Sequence, residues 1–128
     1  MLLHISENSA ETLQEQIIGQ VRSRILSGDL ESDHALPSIR ALAKSLRVSV
    51  ITVQRAYEQL LQEELIYSRR GMGFFVTTLK QSDKSALAAS RFSEQMLDLI
   101  QKARRDGLGK NELEKLFAKC ISEGENDA

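Results

Sequence analysis

The 128 residues include one cysteine, one proline, two histidines and no tryptophan. A single cysteine, Cys120, excludes an intramolecular disulfide and suits a reducing compartment, so the expected location is the cytoplasm. His4 falls in a strand-like N-terminus and His34 in a turn, with Cys120 far from both in sequence. No spacing among them resembles a metal site or a nucleophile–base pair, so catalysis, a bound metal and a cofactor are not expected. Cys120, on the apolar side of a terminal helix, is expected to be a small packed hydrophobe. No apolar run approaches the roughly 18–20 residues that cross a bilayer, so no membrane partner is expected. The first residues, MLLHISENSAE, carry neither the basic stretch nor the long apolar run of a signal peptide. An excess of charge of one sign is also missing: 17 basic residues face 18 acidic ones, for a formal net charge of −1. A basic total is the usual footprint of nucleic-acid binding, so the total alone argues against that partner.

What is present is an ordinary folding composition, with 41% hydrophobic and 27% charged residues, which sets the chain apart from disordered sequences. Its length suits one compact domain, or a small domain with a short appendage. Residues 2–6 read as a short strand, followed by a polar bridge over 7–10. From Glu11 the apolar residues Leu13, Ile17, Val21 and Ile25 recur every four positions, with Ile18 and Leu26 widening the stripe, so a helix is expected that closes at Gly28. Residues 29–36 read as a loop. Pro37 and Ser38 open a short second helix ending near Arg47, because a proline there loses no intrahelical hydrogen bond. Ser49 is the expected N-cap of a third helix over 49–63, with Val53, Tyr57 or Ala56, Leu60 and Leu61 as its buried stripe.

Beyond Glu64 the period falls from 3.6 to 2. Residues 65–69 and 74–78 are rich in β-branched and aromatic types, and Gly71 and Gly73 between them supply a tight basic hairpin tip. Three helices followed by a hairpin is the winged helix-turn-helix order, so the fold class is mainly α with a small β wing. Residues 79–85 read as a polar linker, 86–105 as a fourth helix and 110–121 as a fifth, with Glu112 in the capping-box position after Gly109. Residues 124–128 should fray. The expected division is a winged helix-turn-helix domain over 1–78 and a linker with two helices over 79–128.

Position changes the meaning of the charge balance. No acid occurs between Asp33 and Glu58, a run of 24 residues that carries Arg40, Lys44, Arg47 and Arg55. The hairpin region from Leu65 to Ser82 also lacks acids and adds Arg69, Arg70 and Lys80. A local basic face is what a phosphate backbone responds to, whatever the total.

The segment from Gln14 to Val76 resembles the DNA-binding domain of GntR-family bacterial transcriptional regulators. The resemblance rests on Gln16-Ile17, on Ile25-Leu26-Ser27-Gly28-Asp29-Leu30, and on Leu36-Pro37-Ser38-Ile39-Arg40-Ala41-Leu42-Ala43. It continues through Val48-Ser49, Thr52-Val53, Ala56-Tyr57, Leu60 and Arg70-Gly71-Met72-Gly73-Phe74-Phe75-Val76. The short remainder is similar to the YtrA-like branch, the smallest of these regulators. Three positions depart from the family pattern: Ser32-Asp33 replaces a Pro-Gly turn, Val50 replaces a basic residue, and Gln54 stands where an arginine is frequent.

The resemblance implies a dimeric repressor of double-stranded operator DNA. Its third helix would present Ser49, Val50, Thr52, Gln54 and Arg55 to the major groove. Ser38 would cap the second helix or donate to a phosphate, Arg40 would contact DNA from that helix, and Arg69, Arg70 and Gly71 would lie along the adjacent groove or backbone. The two tail helices carry more apolar residues than about fifty residues bury alone. Leu87, Phe92, Met96, Leu99, Ile100, Leu113, Leu116 and Phe117 would therefore form a homodimer seam, unless they fold back onto their own winged domain. The alternative for the whole chain is a winged helix serving as a protein-interaction module. A small-molecule effector stays unknown.

Overall fold

The computed structural model describes the backbone of residues 1–127 and the side chains of residues 1–125. Its elements run α1 (Leu13–Ser27), α2 (Ile39–Leu46), α3 (Val50–Gln62), β1 (Ile66–Arg69), β2 (Gly73–Val76), α4 (Gln81–Arg105) and α5 (Lys110–Asp127). They fall into two compact units, Met1–Leu87 and the chain from Ala88 onward.

Helix α1 starts two residues later than the apolar stripe suggested, because Thr12 caps it. The Thr12 hydroxyl accepts from the Glu15 N–H at 3.1 Å and the Glu15 carboxylate accepts from the Thr12 N–H at 3.2 Å, so two unpaired helix-end donors are satisfied reciprocally. At the other end Gly28 adopts φ +87°, a left-handed conformation open to a residue without Cβ, and donates to the Ile25 carbonyl. Ile17, Val21 and Ile25 of α1, with Val53, Ala56, Tyr57 and Leu60 of α3, are wholly shielded from solvent. Each large aliphatic side chain buried in this way contributes about 1.5–3 kcal/mol to folding. Both Ala56 and Tyr57 belong to the buried stripe, while Leu61 is only half-buried.

The N-terminal strand expected over residues 2–6 is not a strand. The segment is extended, with Leu3 buried against the core, but its backbone pairs with side chains of α1 instead of another strand. The Gln16 amide bonds both the N–H and the carbonyl of Ser6, the Gln20 amide does the same for His4, and Arg24 donates to the Leu2 carbonyl. Residues 16, 20 and 24 share one helical face, so their spacing of four matches alternate residues of an extended chain.

The turn between α2 and α3 consists of Arg47, Val48 and Ser49. Arg47 is left-handed at φ +58°, and the Val48 N–H returns to the Ala43 carbonyl at 3.0 Å. The hairpin pairs Ile66 with Val76 and Arg69 with Gly73 in antiparallel register, so its strands are shorter than expected and the second begins one residue earlier. Part of the expected loop joins this sheet: Ala35 bridges Phe75, with Leu36 N–H on the Phe74 carbonyl and Val76 N–H on the His34 carbonyl.

The polar linker over 79–85 is mostly helix. Helix α4 begins at Gln81, the Lys80 N–H meets the Asp83 carboxylate at 3.4 Å, and Lys84 is buried. Polar composition suggested a linker, but residues 81–85 contain no glycine or proline to stop a helix. The tail likewise does not fray where expected. Helix α5 continues through Gly124 to Asp127, helped by an exposed i,i+4 pair between Lys119 and Glu123, and Ala128 lies outside the described residues. Between α4 and α5 the chain turns at residues 106–109, where Gly109 has no hydroxyl, so Glu112 has no capping side chain to reciprocate.

Candidate nucleic-acid interface

Burial of one face of α3 dictates what the other face offers. With Val53, Ala56, Tyr57 and Leu60 inward, the 3.6-residue period turns Val50, Ile51, Gln54, Arg55 and Glu58 outward, and all five are exposed. Val50 is 42% and Ile51 58% exposed, high values for β-branched apolar side chains. The Gln54 amide donates to the Glu58 carboxylate at 3.2 Å along the same face.

Two of the hydroxyl residues nominated from sequence hold helix ends. Ser49 accepts from the Thr52 N–H at 3.1 Å, and its oxygen lies 2.8 Å from the Thr52 hydroxyl, so the two side chains are partners. Ser38 caps α2 by accepting from the Ala41 N–H at 3.1 Å, a role that leaves its own O–H to donate. Arg40, in the first turn of α2, is exposed.

The placement of α3 is fixed by contacts that no local pattern announces. The Tyr57 hydroxyl donates to the Pro37 carbonyl at 2.8 Å, just ahead of α2, and its ring meets Phe74 of β2 edge-on at 5.0 Å. Burial pushes the Tyr57 phenol well above its ordinary range, so it stays a donor. At the far end of α3, Arg22 of α1 makes a two-pronged pair with Glu63 at 2.8 and 2.7 Å, with both side chains largely shielded.

In the wing, the two arginines are not equivalent. The Arg69 guanidinium lies 5.7 Å from the Tyr67 ring centroid and 5.6 Å from that of Phe75, and these rings stack on each other. Arg70 occupies the tip, exposed, in the turn closed by the Met72 N–H on the Arg69 carbonyl. Gly71 follows at φ +76°, which a side chain with Cβ rarely adopts. The base of the wing is fastened by Asp33, whose carboxylate accepts from the Tyr67 hydroxyl at 2.7 Å and the Thr78 hydroxyl at 3.1 Å. The bond to Asp33 is the main cause that raises the Tyr67 phenol above its usual value. Asp33 itself is left-handed at φ +64°.

In the second unit, Phe92, Met96, Leu99, Ile100, Leu113, Leu116 and Phe117 line one groove of about 680 Å³ between α4 and α5. Leu87, nominated with them, does not line it and ends the first unit. Cys120 lines the same groove and is exposed, not packed as expected. Among the described residues, no three or more His, Cys, Asp or Glu side chains are grouped to hold a metal, and no helix is long and apolar enough to cross a membrane.

The model of bacterial regulatory proteins of the gntR family matches residues 13–76, half of the chain. The HTH-type transcriptional repressor YtrA of Bacillus subtilis is 32% identical over 118 residues, which cover 90% of this chain and 86% of that protein. A solved GntR family transcriptional regulator from Listeria monocytogenes superposes with a TM-score of 0.72 at 27% identity, over 88% of this chain and 97% of its own. The AraR DNA-binding domain, solved in complex with operator ORE1, superposes with a TM-score of 0.50 at 25% identity, over 60% of this chain and 94% of its own. By family match, by identity along most of its length and by fold, the chain belongs to the gntR family of bacterial regulatory proteins and is a DNA-binding transcriptional regulator, not an enzyme.

Proposed function

We propose that the protein is a homodimeric repressor that reads double-stranded operator DNA in the cytoplasm. In this reading α3 enters the major groove with Val50, Gln54 and Arg55 towards base edges, while Ser49 and Thr52 order its first turn. Arg40 from α2 and Arg70 with Gly71 from the wing meet the flanking backbone or groove. Arg69 keeps the wing in shape through Tyr67 and Phe75 and adds charge near the phosphates. The observation that carries the reading is the continuous exposed face of α3, set within 24 residues that hold four cations and no acid.

A single module of this size reads few base pairs, so two copies would read two half-sites. The groove between α4 and α5 supplies an apolar seam for the second copy, with Leu99 and Phe117 exposed within it. The winged-helix unit over 1–78 and the tail over 79–128 then divide reading from pairing.

A gel shift with selected DNA, repeated across salt, tests the reading. Arg40→Ala and Arg70→Ala should each weaken binding and lower the salt slope by about one unit. Binding unchanged by both would disprove the assigned face.

A further inference from the structure

The outward face of α3 carries an unusual mixture for a surface that meets a polyanion. Its first turn has no charged residue: Val50 and Ile51 stand side by side in solvent, and Gln54 follows four and three positions later on the same face. Arg55 is the only cation of the helix and Glu58 its only acid. Recognition of a G·C pair in the major groove draws on Arg or Lys at guanine O6 and N7, or on a carboxylate at cytosine N4. Neither type occurs in the first turn, and Glu58 is engaged by the Gln54 amide at 3.2 Å.

We propose that the base pairs facing Val50, Ile51 and Gln54 of α3 are A·T pairs, with thymine methyl groups packed on Val50 and Ile51 and an adenine read by Gln54. The inference rests on α3 being the helix that enters the groove. Thymine is the base that presents a methyl group there, and two β-branched side chains form a dry surface of matching chemistry. One N–H of the Gln54 amide is held by Glu58, which fixes the orientation of the group. Its carbonyl oxygen and second N–H are left to accept from adenine N6 and donate to adenine N7. Arg55 then confines a guanine or a phosphate contact to the flank of the half-site.

The test selects bound duplexes from a random DNA pool with the full chain. It then measures affinity for the selected duplex with single thymines replaced by uracil and single adenines by 7-deazaadenine. Uracil, which lacks the methyl group, should weaken binding about fourfold at one or two positions. That difference should shrink in Val50→Ala or Ile51→Ala and vanish when both are replaced by serine. Loss of adenine N7 should weaken binding about tenfold at one position, and Gln54→Ala should erase that effect. A selected half-site with G·C pairs at its core and no response to uracil would overturn this inference while leaving sequence-specific DNA binding intact. No enrichment from the pool would overturn both.

Discussion

The Tyr57 hydroxyl donates a 2.8 Å hydrogen bond to the carbonyl of Pro37, joining the middle of α3 to the residue before the α2 cap. The ring that carries this hydroxyl also meets Phe74 of the wing. One side chain thus touches all three pieces of the DNA-reading unit. Tyr57→Phe keeps the ring contact and strands the Pro37 carbonyl, so it should destabilise the protein by about 1–2 kcal/mol. Urea unfolding measures this, and an unchanged midpoint would remove Tyr57 from the role of fastener.

Both tyrosines of the chain are held above their ordinary titration range, by burial at Tyr57 and by the bond to Asp33 at Tyr67. A phenol raised in the folded state favours its neutral form there. The stabilisation is therefore complete below the unfolded value near 10 and is lost as pH rises through the raised one. Absorbance titration of the folded protein should show no tyrosine ionising at the ordinary value. Asp33→Ala should lower Tyr67 towards it, leaving Tyr57 unaffected.

Arg22 and Glu63 meet across 41 positions of sequence, with side-chain exposures of 14% and 21%. Such shielding and two-pronged geometry place the pair above an ordinary surface bridge. A double-mutant cycle of Arg22→Ala and Glu63→Ala should give a coupling of about 1–2 kcal/mol. A coupling near zero would demote the contact to a solvated pair.

The proposed homodimer has its own test. Leu99→Glu and Phe117→Glu place charge in the groove between α4 and α5. Sedimentation at micromolar concentration should show the wild type as a dimer and each variant as a monomer of retained helical content. A monomeric wild type would sink the proposal. Loss of pairing should also weaken binding to a two-half-site operator more than to one half-site.

Much of this fold is legible in the sequence because helices bury stripes and strands alternate. The spacing of Leu13, Ile17, Val21 and Ile25 and the Ser38 and Ser49 caps placed three helices within a residue or two. The errors have distinct physical sources. Residues 2–6 alternate as a strand would, but periodicity cannot reveal that the partners are Gln16, Gln20 and Arg24 of a helix. Residues 81–85 are polar enough for a linker, yet helix formation needs only compatible backbone, and polarity does not oppose it. Within the candidate site, exposure of Arg40, Gln54 and Arg70 follows from the stripes. The roles of Tyr57, Asp33 and the aromatic pair under Arg69 do not, because each depends on residues far apart in sequence.

Arg47, at the left-handed position of the turn between α2 and α3, sets two demands on one residue. Backbone geometry there favours glycine, so Arg47→Gly should raise stability by about 1 kcal/mol. The same change removes one of the four cations in the acid-free run, so it should lower affinity for DNA most at low salt and flatten its salt dependence. Thermal melts and salt-dependent binding of this one variant should therefore move in opposite directions. At Arg47, a variant library screened for thermal robustness alone would drift away from the operator.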